Sequence, residues 1–195
     1  MPIQHTIAIQ QVQHILLGAL HHGLAVEPLL DRAGIPPALL DASLARISQG
    51  QYAALIRVLR RRLRDELWGL MQQPLRPGSF GRCMRQLVRT ITLGEALREG
   101  FAHFHLLITD FVPRLTVSAG VARLQFVLRR PSEPRLDYGV KAFMLITFNT
   151  ASWLVARRIP LLGVDYTAGH GSTETSRVYQ VPVRGGQPHV GLSFD

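Results

Sequence analysis

"PRLTVSAGVARLQFVL", residues 113–128, is the stretch whose reading decides the fold. Two runs of alternating apolar and polar side chains flank Ala119-Gly120. A period of two belongs to strands, and a central glycine supplies the positive φ that a tight hairpin turn needs. The spacing therefore predicts a β-hairpin. Everything upstream of residue 111 repeats instead with helical spacing, so the chain reads as α+β: an N-terminal helical part packed with a small, mainly antiparallel sheet and a long buried helix.

Moving towards the N-terminus, Val12, Ile15, Leu16 and Ala19 mark one helix, and Gly23 can close it with a left-handed cap. "VEPLLDRAGIPP" predicts a short helix stopped by Gly34 and Pro36. Ser48 with Gln51 forms a capping box, so another helix should begin there. That helix carries "RVLRRRLRDEL" (57–67). On a helical wheel Tyr52, Leu55, Ile56, Leu59 and Leu63 share one side, while Arg57, Arg60, Arg61 and Arg64 share another. The expectation is a solvated arginine face, partly offset by Asp65 and Glu66, in preference to a nucleic-acid surface. After "PLRPGS", Phe80, Met84, Leu87, Val88 and Ile91 read as one apolar stripe, and Thr92 with Glu95 as a second capping box. The box should launch a helix whose Leu97, Phe101, Phe104 and Ile108 share a face, the two helices forming a hairpin.

Downstream of the strands, residues 136–158 are apolar nearly all round, which predicts a helix buried against both sheet and helices. "AFMLITFNTASWLVA" (142–156) is too short for a membrane span and is interrupted by Asn149 and Ser152. "LLGVDYT" and "HVGLSFD" predict two further strands joined by the loop "AGHGSTETS". No repeat or linker divides the chain, so one domain over 1–195 is expected.

Composition bounds the function. The net charge is +9, and of 22 basic residues all but Lys141 are arginine. Such a chain favours anionic partners. The lone cysteine, Cys83, rules out an internal disulfide and a cysteine-based zinc cage; with no signal-peptide pattern, the expected setting is the cytoplasm. Eight histidines occur without a metal-ligand spacing. His103 and His105, two apart on a helix, point different ways, His105 towards the apolar stripe. His21 and His22 lie at a helix end, where imidazolium suits the dipole. "AGHGST", with His170 and Ser172, is neither a nucleophile elbow nor a phosphate loop. An enzyme built around His105, His170 and Tyr138 has only the histidine count behind it, so neither catalysis nor a cofactor or metal is expected.

The order of several short motifs says more than any one of them. "LLDRAGI" (29–35), "DASLARIS" (41–48), "DELWGL" (65–70), "PLRPGSFG" (74–81) and "TLGEAL" (92–97), followed by "RLDYGV" and "PVRGGQPHVGLSFD", resemble the N-terminal arabinose-binding-like domain of AraC/XylS-type transcriptional regulators. The resemblance runs over about residues 10–195. It implies a bacterial effector-sensing domain that also dimerises, with DNA read by two helix-turn-helix units beyond Asp195. The alternatives are a dimerisation-only module and a direct nucleic-acid binder through helix 52–67. Candidate effector residues are Phe80, Met84, Phe101, Phe104, His105, Tyr138, Phe143, Trp153 and Tyr166, with Arg135 available to an anionic group.

Overall fold

The computed structural model describes residues 6–167 and 173–195. In chain order it forms β1 (Thr6–Ala8), α1 (Ile9–His21), α2 (Glu27–Ala33), a 3-10 turn (Pro37–Asp41), β2 (Arg46–Ser48), α3 (Gln49–Leu63), α4 (Ser79–Leu87) and α5 (Leu93–His105). There follow β3 (Phe111–Ser118), β4 (Val121–Leu128), α6 (Pro134–Leu154), β5 (Leu161–Asp165), α7 (Thr173–Tyr179), β6 (Val183–Arg184) and β7 (Val190–Phe194). This is a mixed α+β fold, and it divides into two compact units: residues 1–80 with 133–139, and residues 81–132 with 140–195.

The first unit is built on α1, α2 and α3. Val12, Ile15, Leu16 and Ala19 of α1 are buried, as are Leu29 and Leu30 of α2 and Leu55 and Leu59 of α3. Each of the valine, isoleucine and leucine side chains contributes about 1.5–3 kcal/mol when taken fully out of water. The chain turns at the expected glycines: Gly23 and Gly34 both have φ of +68°. The expected capping box is also present. Ser48 Oγ accepts from the Gln51 N–H at 3.1 Å, and Gln51 Oε1 accepts from the Ser48 N–H at 2.9 Å. Missed by the sequence reading are the two three-residue strands β1 and β2, which pair antiparallel through Ile7 and Ile47.

One expectation fails just after α3. Asp65 and Glu66 do not offset the arginines at the surface. Asp65 is 1% exposed, and its carboxylate accepts from the backbone N–H groups of Leu67, Gly69 and Leu75 at 2.7–2.9 Å. Glu66 accepts from the N–H groups of Gly78 and Phe80. Both acids organise the segment 64–80, where Arg64, Trp68 and Gly69 hold positive φ. Buried backbone donors need acceptors, and the Asp65 carboxylate supplies them.

The second unit is built on a five-stranded sheet in the order β3-β4-β7-β5-β6, antiparallel except for the β5-β6 pair. The predicted hairpin is in register, Ser118 opposite Val121, with φ of +50° at Ala119 and +80° at Gly120. Two consecutive positive φ values are the requirement of a type I′ turn. From α5, Leu97, Phe101 and Phe104 are buried, with Ile108 just beyond.

Four local readings are corrected in this unit. α4 ends at Leu87, so the supposed stripe breaks: Val88 is 55% and Ile91 93% exposed, and the buried residues are Cys83 and Leu87. Thr92 caps α5 by accepting from the Glu95 N–H, but Glu95 Oε2 accepts from Ile91 rather than Thr92, leaving half a capping box. α6 is not buried all round; Val140, Phe143, Met144, Phe148 and Ala151 are buried, while Asn149 and Trp153 are exposed. Part of the expected loop "AGHGSTETS" is helical, since α7 begins at Thr173, and β6 follows it. His170 and Ser172 lie outside the described residues.

Candidate functional site

The ten sequence candidates do not converge on one pocket. Phe101, Phe104 and Phe143 do meet in the second unit, but they meet as core. Phe143 stands 5.2 Å from both Phe104 and Phe111 and 5.9 Å from Phe126, while Phe101 reaches Phe126 at 6.1 Å. Most of these pairs are edge-to-face, the favoured aromatic geometry, and exposures of 1–8% leave no surface for a ligand. Tyr166 is buried elsewhere in this unit, under Lys141, whose Nζ lies 4.5 Å from the ring centroid. Burial, followed by the neighbouring Tyr166, raises the Tyr179 phenol well above its ordinary range.

The two histidines of α5 exchange their expected roles. His105 is exposed, with Nε2 3.5 Å from an Arg129 Nη2, at the limit of hydrogen bonding. His103 is the half-buried one, set edge-on to Phe104, and its Nε2 is buried without a hydrogen-bond partner among the described residues. The wheel failed because both residues stand in the last turn of α5, where the helix gives way to a loop.

In the first unit Tyr138 is half-buried, its hydroxyl 3.0 Å from that of Tyr52 and donating to Gln11 Oε1 at 3.2 Å. Its ring lies 5.2 Å from His14. Burial raises the Tyr52 phenol, while its hydrogen bond with Tyr138 works in the opposite direction. Arg135 is 7% exposed and is not available to an anion in the way the sequence suggested. Its Nη1 donates to the carbonyls of Gly69 and Met71 at 3.1 Å, and its Nη2 pairs with Glu133 at 2.6 Å. Phe80 is half-buried, with its N–H donated to Glu66.

Two candidates remain together and open. Met84 of α4 and Trp153 of α6 line a shallow groove of about 320 Å³ with Asn149 and Thr150. That volume lies at the small end of ligand sites. The lining offers a thioether and an indole beside one amide and one hydroxyl, enough to hold an apolar group and orient a polar one. Asn149 and Thr150 were not among the candidates. A signal for Asn149 did exist, since it interrupts the apolar run 142–156. No group of three or more His, Cys, Asp or Glu among the described residues could hold a metal ion, and no described helix is long and apolar enough to cross a membrane.

Comparison with known families matches residues 23–195 to the N-terminal arabinose-binding domain of AraC transcription regulators. The chain belongs to this family. The arabinose-binding domain is a ligand-binding regulatory domain, not an enzyme family. No curated protein matches the chain. In this arabinose-binding domain the stretches that carry the family resemblance are joints of the fold. Gly34 of "LLDRAGI" caps α2, Ser48 of "DASLARIS" caps α3, and Thr92 of "TLGEAL" caps α5. Asp65 of "DELWGL" and the backbone of "PLRPGSFG" are tied by the hydrogen bonds described above.

Proposed function

We propose that this chain is the effector-sensing and self-association domain of a bacterial, cytoplasmic AraC-type regulator, and that a small molecule bound to it biases DNA binding by a separate reader. The family match over 23–195 carries this reading. The groove on Met84, Asn149, Thr150 and Trp153 is the effector's seat, and its lining suits a flat or apolar group bearing one hydrogen-bonding substituent. Of the ten candidates, Met84 and Trp153 therefore touch the ligand, while Phe101, Phe104 and Phe143 belong to the packed core. The effector shifts the regulator between two arrangements only through unequal affinity for them.

Native mass spectrometry against the denatured mass detects a ligand carried through purification and a dimer in one spectrum. A thermal-shift screen then supplies the variant test. A ligand at about 100 times its Kd adds about 2.7 kcal/mol, worth roughly 5–10 °C at this length. Trp153 is 64% exposed, so Trp153→Ala leaves the ligand-free melting temperature nearly unchanged and abolishes the shift. A full shift surviving in both Trp153→Ala and Asn149→Ala removes the groove as the seat. A dimer that binds nothing in the screen and carries no ligand favours the dimerisation-only reading.

A further inference from the structure

Exposure alone does not make the arginine face of α3 a site; the position of the acids does. Arg57, Arg60, Arg61, Arg62 and Arg64 are all exposed. None of their guanidinium groups has an ion pair or hydrogen bond among the described residues. The two carboxylates that follow them in sequence are turned into the segment 64–80 and hold backbone N–H groups. Like charges three and four positions apart on a helix repel. The helix dipole favours cations in the last turn, where Arg60, Arg61 and Arg62 stand, but it does not reach Arg57 and does not require so many. The fold thus holds an uncompensated run of guanidinium groups along about 10 Å of helix.

We propose that this face binds the phosphate backbone of duplex DNA as a sequence-independent clamp. The inference rests on the reading that the chain works beside a DNA reader, which would hold α3 close to a duplex. Guanidinium forks match phosphate oxygens bidentately, and each strand of duplex DNA presents one phosphate per roughly 3.4 Å of axis, so about three or four phosphates of one strand fall within reach of the run. A membrane surface fits less well. An interfacial helix buries its own apolar face in lipid, whereas Leu55 and Leu59 of α3 are 0% exposed in the protein core.

The test is fluorescence anisotropy of the 195-residue chain with a labelled mixed-sequence duplex of about 24 base pairs, between about 50 and 200 mM salt. Two variants of equal charge are compared: Arg57→Gln with Arg60→Gln, Arg61→Gln and Arg64→Gln, and Arg82→Gln with Arg85→Gln, Arg89→Gln and Arg98→Gln on exposed positions of α4, the turn after it and α5. Four lost phosphate contacts lower the slope of log K against log salt by about 3–4 and weaken binding at low salt roughly 100-fold or more, while the control set changes the slope by less than about 1. Absence of binding at about 50 mM salt overturns the proposal. So does equal loss in the two sets, which would assign binding to net charge alone, or tighter binding to phosphatidylserine vesicles than to the duplex. The measurement needs no effector. Failure here beside an intact effector-induced thermal shift therefore rejects the clamp and leaves the sensing function standing.

Discussion

Among single residues, Asp65 holds more of the first unit than any side chain the sequence pointed to. Its Oδ1 accepts from Leu67 and Leu75 and its Oδ2 from Gly69, all in a buried setting. Asp65→Ala strands three buried donors, and hydrogen bonds to charged groups are worth about 1.5–3 kcal/mol each, so a loss of about 3–5 kcal/mol is expected after local relaxation. Asp65→Asn keeps the shape but sets an amide N–H against that of Gly69, and costs about 2 kcal/mol. Urea denaturation ranks the three proteins; a fall under about 1 kcal/mol for Asp65→Ala would contradict this account. Cys83 gives a prediction in pH. Burial raises its thiol from 9.0 to about 11, so the folded state retains a proton that the unfolded state has lost. Stability from this group is complete below pH 9 and declines as pH rises to about 11. Cys83→Ala, although it costs some packing, flattens the alkaline limb of the stability profile, and the native thiol resists Ellman's reagent at pH 8 until urea is added. An unchanged alkaline limb in Cys83→Ala, or rapid labelling of the native protein, would show the thiol to be accessible.

Helices and strands separate what one-dimensional pattern can reveal from what it cannot. The hairpin at 113–128 and the cap at Ser48 depend on residues within a few positions of one another, and both were legible. Asp65 looked like a surface acid because its partners are N–H groups, which every residue carries and no composition signals. Arg135 was misjudged for the same reason, its acceptors being carbonyls more than sixty positions away. The α4 stripe failed because helical spacing continues on paper past the residue where the helix stops. Of the candidate groove, Met84 and Trp153 were named, but nothing marked them above Phe104 or Phe143; open surface and filled core have the same residue types. α1 shows how propensity and packing compete. Ala in place of Gly gains about 1 kcal/mol in a helix interior. A Cβ on Gly18, however, would stand 1.9 Å from the Trp68 carbonyl oxygen, and backbone cannot rotate away as a side chain does. Packing wins, and Gly18→Ala destabilises by about 3 kcal/mol or more. An Ala variant with an unchanged urea midpoint would mean that the 64–70 segment yields.

For the molecule as a whole, the consequential feature is that the first unit is discontinuous: residues 133–139 belong to it although 81–132 lie elsewhere. That short segment supplies Arg135 to the carbonyls of Gly69 and Met71, Tyr138 to Tyr52 and Gln11, and Gly139 against Leu70 and Met71. The Arg135 bonds alone are worth about 3–6 kcal/mol by the usual range for charged donors, against a total of about 5–15 kcal/mol for a domain. A fragment ending at Phe80 lacks all of them and is small enough to have little reserve. It is expected to retain some helical circular dichroism but to melt without a cooperative transition. The isolated helices keep their caps; they lose the groups that close the 64–75 segment over α1. A synthetic peptide covering 130–156 restores a cooperative transition when added in excess, because binding to the folded form alone stabilises it by mass action. Arg135→Ala in the peptide removes most of that rescue. Cooperative melting of the bare fragment at the temperature of the full chain would show that 1–80 is self-sufficient and that α6 crosses from one unit to the other without tying their stabilities together.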